Sequence, residues 1–150
     1  MDPNDHRALG AALFNEVWTL LEQPTRTRAD DDRMLHLAHA SRYHWGEVGT
    51  PARLARGEWQ CSRVYAVLGR VEPCRHHAQR VLDLCTENAI GDWDLAFAHE
   101  ALARAHAIAG DPDSARREAE LALAVDIADD EDRALVQSDL ETVPGLVRFW

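Results

Sequence analysis

The sequence predicts an all-α protein of about seven helices, packed as antiparallel hairpins in a short stacked array. Three observations predict it. Apolar residues recur at a spacing near 3.6 along the whole chain, and no stretch shows the alternation of a strand. Alanine is the commonest residue, while the 8 glycines and 6 prolines sit mostly between apolar runs. One segment also repeats: "YAVLGRVEPCRHHAQRVLDL" superposes on "HAIAGDPDSARREAELALAV" with an offset of 41 residues.

Each element has its own signal. In a first helix over about residues 4–22, Leu9, Leu13, Val17, Leu20 and Leu21 line one face, with Phe14 and Trp18 beside it. "QPTRTRADDD" is a polar loop ending in acidic capping residues, and a second helix follows from about Asp31 to Glu47. Thr50 and Pro51 open a third helix as N-cap and first residue; it continues to Leu68 and stops at Gly69. Glu72 and Pro73 begin the fourth, to about Asn88. Gly91 and Asp92 begin the fifth, which ends at Gly110, and Asp111 and Pro112 cap the sixth, to about Asp126. "ADDEDR" opens a seventh that ends before Pro144. Residues 1–142 read as one helical domain and 143–150, "VPGLVRFW", as an apolar C-terminal tail. Such a tail is expected to dock on its own groove or on a partner protomer, a route to a homo-oligomer.

Composition narrows the function. At 150 residues the chain is long enough for one domain with a proper core. A net charge of −10 argues against a nucleic-acid footprint and against attachment to anionic membranes. No apolar run approaches the roughly 20 residues of a membrane span, and "MDPNDHRALG" has no secretory pattern. All 16 basic residues are arginine, so chemistry that needs a lysine is excluded. The arginine and alanine bias also fits a GC-rich bacterial genome. Cys61, Cys74 and Cys85 contain no CxxC and read as reduced, buried small hydrophobes of a cytoplasmic protein.

In the repeat, Gly69 falls on Gly110, Cys74 on Ala115, Ala78 on Ala119, Val81 on Ala122 and Leu82 on Leu123. Ser62 and Tyr65 in the earlier hairpin, and Ala103 and His106 in the later one, complete a pattern of small residues with one ring three positions on. Over roughly residues 52–126 this resembles the tetratricopeptide-repeat (TPR) family, although the period is 41 residues and not about 34. The resemblance implies right-handed stacked hairpins with the seventh helix as a cap. It also implies an interaction module whose concave groove takes a peptide or protein partner, or a small anion. Carried onto this sequence, Arg56, Trp59, Arg63, Phe97, Glu100 and Arg104 would line that groove. The family's carboxylate-clamping grooves use lysine as well as arginine, and this chain has none.

"HLAHASRYHW", residues 36–45, is the sequence's oddest stretch. Aligning Gly49 with Gly91 turns His36 and His39 inward, with Tyr43 on the same stripe. His99 and Glu58 occupy equivalent places where the family has an aromatic. Three roles fit these residues. They are neutral core histidines, each satisfied by one neighbour. Or His36, His39, Glu58 and His99, with Glu100 nearby, hold a divalent metal such as Zn, Fe or Mn. Or they form a metal-free acid–base pocket of a small-molecule enzyme, with His39, Tyr43 or His99 as catalytic candidates and Arg42 or Arg63 orienting an anion. His76 and His77, adjacent and near a helix start, read as a solvated pair. No nucleophile elbow, dinucleotide fingerprint or P-loop is present.

Overall fold

A computed structural model describes residues 1–150. It is all-helical: α1 (Pro3–Leu21), α2 (Arg28–Val48), α3 (Pro51–Val67), α4 (Val71–Glu87), α5 (Asp92–Ile108), α6 (Pro112–Ala124) and α7 (Asp130–Leu140). Helices α1/α2, α3/α4 and α5/α6 form hairpins, and α2 packs on α3 as α4 packs on α5. The odd-numbered helices also touch in series, α1 to α3, α3 to α5 and α5 to α7, whereas α2, α4 and α6 do not touch one another. The result is two layers, with α1, α3, α5 and α7 forming one continuous face.

Helix starts follow from capping. The side chains of Asp2, Thr27, Thr50, Asp111 and Asp129 accept bonds from first-turn N–H groups. Thr27 and Asp30 form a reciprocal capping box, so α2 begins at Arg28 and the acidic run expected before the helix lies in its first turn. Gly69 and Gly110 end α3 and α5 in left-handed backbone, φ 72° and 79°, a conformation that Cβ disfavours. The next residues close the turns, Arg70 N–H donating to Tyr65 O at 2.9 Å and Asp111 N–H to His106 O at 3.0 Å.

The core runs along the array as successive clusters. Val17, Leu20, Met34 and Ala38 pack with Cys61 and Val64, and Cys74 and Ala78 with Ala101, Leu102 and Ala105. Small residues bring helices close: Ser62 Oγ donates to Cys74 O at 2.9 Å, and Ser41 Oγ to Gly10 O at 2.7 Å. The last cluster joins α5, α6 and α7 through Ala96, Ala119, Ala122, Ile127, Val136 and Leu140. The tail folds back onto it, burying Val143 and packing Leu146, Phe149 and Trp150 against it. Its place is therefore the end of the array, not the groove.

The buried stripe of α2 is Met34, Ala38, Ser41 and Trp45. His36 and Tyr43 are exposed, Tyr43 at 60%, which corrects the expectation that both point inward.

Candidate functional site

The face built by the odd-numbered helices carries an open groove of about 280 Å³. Phe14 and Trp18 come from α1, Ala55, Arg56 and Trp59 from α3, Trp93, Asp94 and Phe97 from α5, and Leu135 from α7. Trp59 lies between two other rings, 5.7 Å from Trp18 and 5.6 Å edge-on from Phe97. Arg56 grips Asp94 with two bonds of 3.0 and 3.1 Å and lies 4.3 Å over Trp93. Beside it a second hollow of about 170 Å³ shares Phe14 and Arg56 and adds Trp45 and Arg53. Arg53 lies 4.5 Å over the Trp45 ring and pairs with no carboxylate, so it is an available cation.

Of the residues expected in the groove, Arg56, Trp59 and Phe97 line it. Arg63, Glu100 and Arg104 do not; they form a buried network behind it. Glu100 is fully buried and receives Arg63 Nη2 at 3.1 Å, Arg104 Nε at 3.0 Å and Trp59 Nε1 at 2.9 Å. Arg63 also donates to Asp139 at 2.5 Å, and Arg104 to Thr142 Oγ1 at 2.7 Å and to the carbonyls of Asp139 and Thr142. Burial pushes the Glu100 pKa up, but the two arginines outweigh it and hold the carboxyl below its ordinary value. Asp139 goes the other way: burial and then the Glu100 charge raise it to about 6, against the pull of Arg63. These residues latch α7 to α3 and α5 and are committed to one another. Sequence reasoning placed them in the groove because charge on an inner helix looks the same whether its partner is a ligand or a residue 35 or more positions away.

The groove residues that sequence reasoning missed are Phe14, Trp18, Ala55, Val81, Trp93, Asp94 and Leu135. A signal existed: α1, α3 and α5 each carry a tryptophan off the deepest packing stripe, namely Trp18, Trp59 and Trp93.

His39 and His99, the two half-buried histidines among the expected site residues, lie in separate places. His99 is half-buried and bonds Glu118 of α6 at 2.8 Å through Nδ1. Glu58 bonds His77 of α4 at 2.8 Å, also through Nδ1. His39 joins this second place, its Nε2 at 2.9 Å from the Tyr65 hydroxyl and its Nδ1 at 3.9 Å from Cys61 Sγ. His77 stacks on Tyr65 at 5.6 Å and stands 5.3 Å from His39. The four residues expected to share a metal, His36, His39, Glu58 and His99, are therefore not brought together. The catalytic candidates His39, Tyr43 and His99 are likewise dispersed. The donor atoms of Glu58, Cys61 and His77 do lie within 4.8 Å of one another, close enough to share an ion. His77, expected in solvent, is thus a member of the cluster, and only its neighbour His76 is exposed.

Burial and then the charge of nearby His77 lower the His39 pKa, so its imidazole is neutral at physiological pH. Burial raises the Glu58 pKa, but the hydrogen bond and charge of His77, then Arg42 and Arg80, bring it below the ordinary value. Cys61 is fully buried and its thiol is pushed up to about 12, mainly by burial, so on its own it is an inert thiol and no nucleophile.

No family model matches this chain, and neither a curated protein nor a solved structure matches it.

Proposed function

We infer that the chain is a TPR-like interaction module whose groove binds a peptide segment of a partner protein. The observation that carries this reading is the groove itself, with 8 of its 10 lining residues hydrophobic and drawn from four inner helices plus α4. Clustered Trp, Phe and Arg at a concave face is the composition of a binding hot spot. The volume of about 280 Å³ suits a bulky side chain better than a large ligand, and the hollow beyond it offers the unpaired Arg53. The occupant is therefore an apolar side chain followed by a carboxylate. The charge of −10 supports a protein and not a nucleic-acid partner. No helix is long and apolar enough to cross a membrane.

Selection of a displayed random-peptide library on the full chain tests this. The expected consensus pairs an aromatic or large aliphatic residue with Asp or Glu, and binding quenches tryptophan fluorescence. Phe97→Ala and Arg53→Glu should each weaken the selected peptide about tenfold or more. An unenriched library, or a consensus that binds both variants as tightly as the wild type, would reject the reading. Enrichment of free anions over peptides would redirect it to a small-ligand site.

A further inference from the structure

Glu58 and His77 occupy the same places in hairpin α3/α4 as His99 and Glu118 occupy in α5/α6, at the offset of 41 residues. Both pairs close a carboxylate–imidazole bond of 2.8 Å between the two helices. The later pair shows that this bond needs nothing more. There, the place of Cys61 is taken by the apolar Leu102, and the place of His39 by Gln79, which bonds Asp83 in its own helix. The earlier pair alone gains a thiol and a second imidazole, and only there do three donor atoms of metal-binding type converge. Its polar accounting is also open: Arg42 Nε stands 3.7 Å from Glu58 and is buried without a hydrogen-bond partner.

We propose that Glu58, Cys61, His77 and His39 form a zinc site that ties α2, α3 and α4 together. A thiolate with imidazoles selects zinc over the hard cations, and four protein donors make a closed structural site rather than an open catalytic one. A tetrahedral ion needs its donors about 3.5 Å apart, and those of Glu58, Cys61 and His77 already lie within 4.8 Å of one another. His39 is already oriented for coordination. With Nε2–H donating to Tyr65, its Nδ1 lone pair faces Cys61. Binding moves two protons. The Cys61 thiol loses its proton to solvent, and the His77 ring carries its proton on Nε2 so that Nδ1 can donate to the ion. The charges of thiolate and carboxylate then balance the zinc, with Arg42 outside Glu58. This site is separate from the groove, and its test is independent of the groove's.

The full chain, stripped with a chelator, is titrated with Co²⁺ alone. A thiolate-to-cobalt charge-transfer band should saturate at one equivalent and disappear when Zn²⁺ displaces the cobalt. Cys61→Ser should abolish the band, while Cys85→Ser and Glu118→Gln keep it. Because Cys61 is a core position, His77→Gln and Tyr65→Phe supply a second arm at half-buried positions, each weakening Co²⁺ binding about tenfold or more. The proposal fails if the wild type shows no such band, if the band survives Cys61→Ser, or if Zn²⁺ leaves the wild-type melting temperature unmoved.

Discussion

Glu100 and Asp139 share Arg63 and burial raises both, yet their pKa values move in opposite directions. Glu100 faces two guanidiniums and stays charged, whereas Asp139, beside it, is raised from 3.8 to about 6 by burial and by Glu100 itself. A carboxyl raised in the folded state binds its proton more tightly there than in the unfolded chain. Its contribution to stability is therefore greatest below about pH 4 and declines as pH rises to about 6. Asp139→Asn removes this titration. Unfolding free energies of wild type and variant, measured in urea at successive pH values, should diverge across that window, the wild type losing on the order of 1–3 kcal/mol relative to the variant. Parallel profiles would show that Asp139 does not titrate there. Glu100, held below its ordinary value by Arg63 and Arg104, contributes with the opposite sign, its stabilisation being lost as pH falls, and it is present in wild type and variant alike. At this scale the sequence revealed which residue types were unusual but not their partners. In the sequence His77 reads as one of a solvated pair with His76 and His99 as a site candidate, and only the fold shows that His77 has Cys61 and His39 beside it while His99 has Glu118.

At the scale of helices, close approach depends on small residues. A Cβ on Gly10 would lie 2.7 Å from Cε2 of Trp45, so α1 and α2 meet at their present distance only because position 10 has no side chain. Gly10→Ala should cost roughly 1–3 kcal/mol by overpacking, and Gly69→Ala roughly 1–2 kcal/mol by forcing Cβ into left-handed backbone. Chemical denaturation of both variants checks the two values, and costs near zero would mean that the helices or the turn adjust freely. The helices were legible in the sequence because periodicity, caps and turn glycines all agreed. The register of α2 was not. Its buried stripe, Met34, Ala38, Ser41 and Trp45, matches Cys74, Ala78, Val81 and Cys85 of α4 at an offset of 40, two fewer than the Gly49–Gly91 alignment implies. Gly49 leaves the helix in extended backbone, unlike Gly69, so it is not the same kind of stop and gives a false anchor. Two residues turn a helix by about 200°, enough to carry His36 and Tyr43 from the core to solvent.

For the whole molecule, an array of hairpins leaves an apolar end that something must cover. Here the chain's own residues 143–150 do so, with Phe149 beneath Arg116 at 4.2 Å and Val143 buried with Ile127, Val136 and Leu140. Removal of residues 143–150 should lower the melting temperature and promote self-association through the uncovered end. Calorimetry and size-exclusion chromatography read both effects, and a truncated chain unchanged in melting and size would show that the tail contributes nothing. The groove was half legible: the resemblance to a repeat array indicated the inner face, and Arg56, Trp59 and Phe97 lie there. Phe14, Trp18 and Leu135 join them only because α1 and α7 reach that face, a long-range arrangement that no local pattern encodes.

The exchanged pairs Glu58–His77 and His99–Glu118 bear on how so repetitive a chain finds its own partners. Hairpins built on one plan can assemble in the wrong order, within one chain or between two. If α3 paired with α6, Glu58 would face Glu118, two carboxylates in a half-buried seam. If α5 paired with α4, His99 would face His77 with no acid between them. Only the native pairing gives each imidazole an acid. The reversal of sign from one hairpin to the next thus works as an address, marking which helix belongs to which.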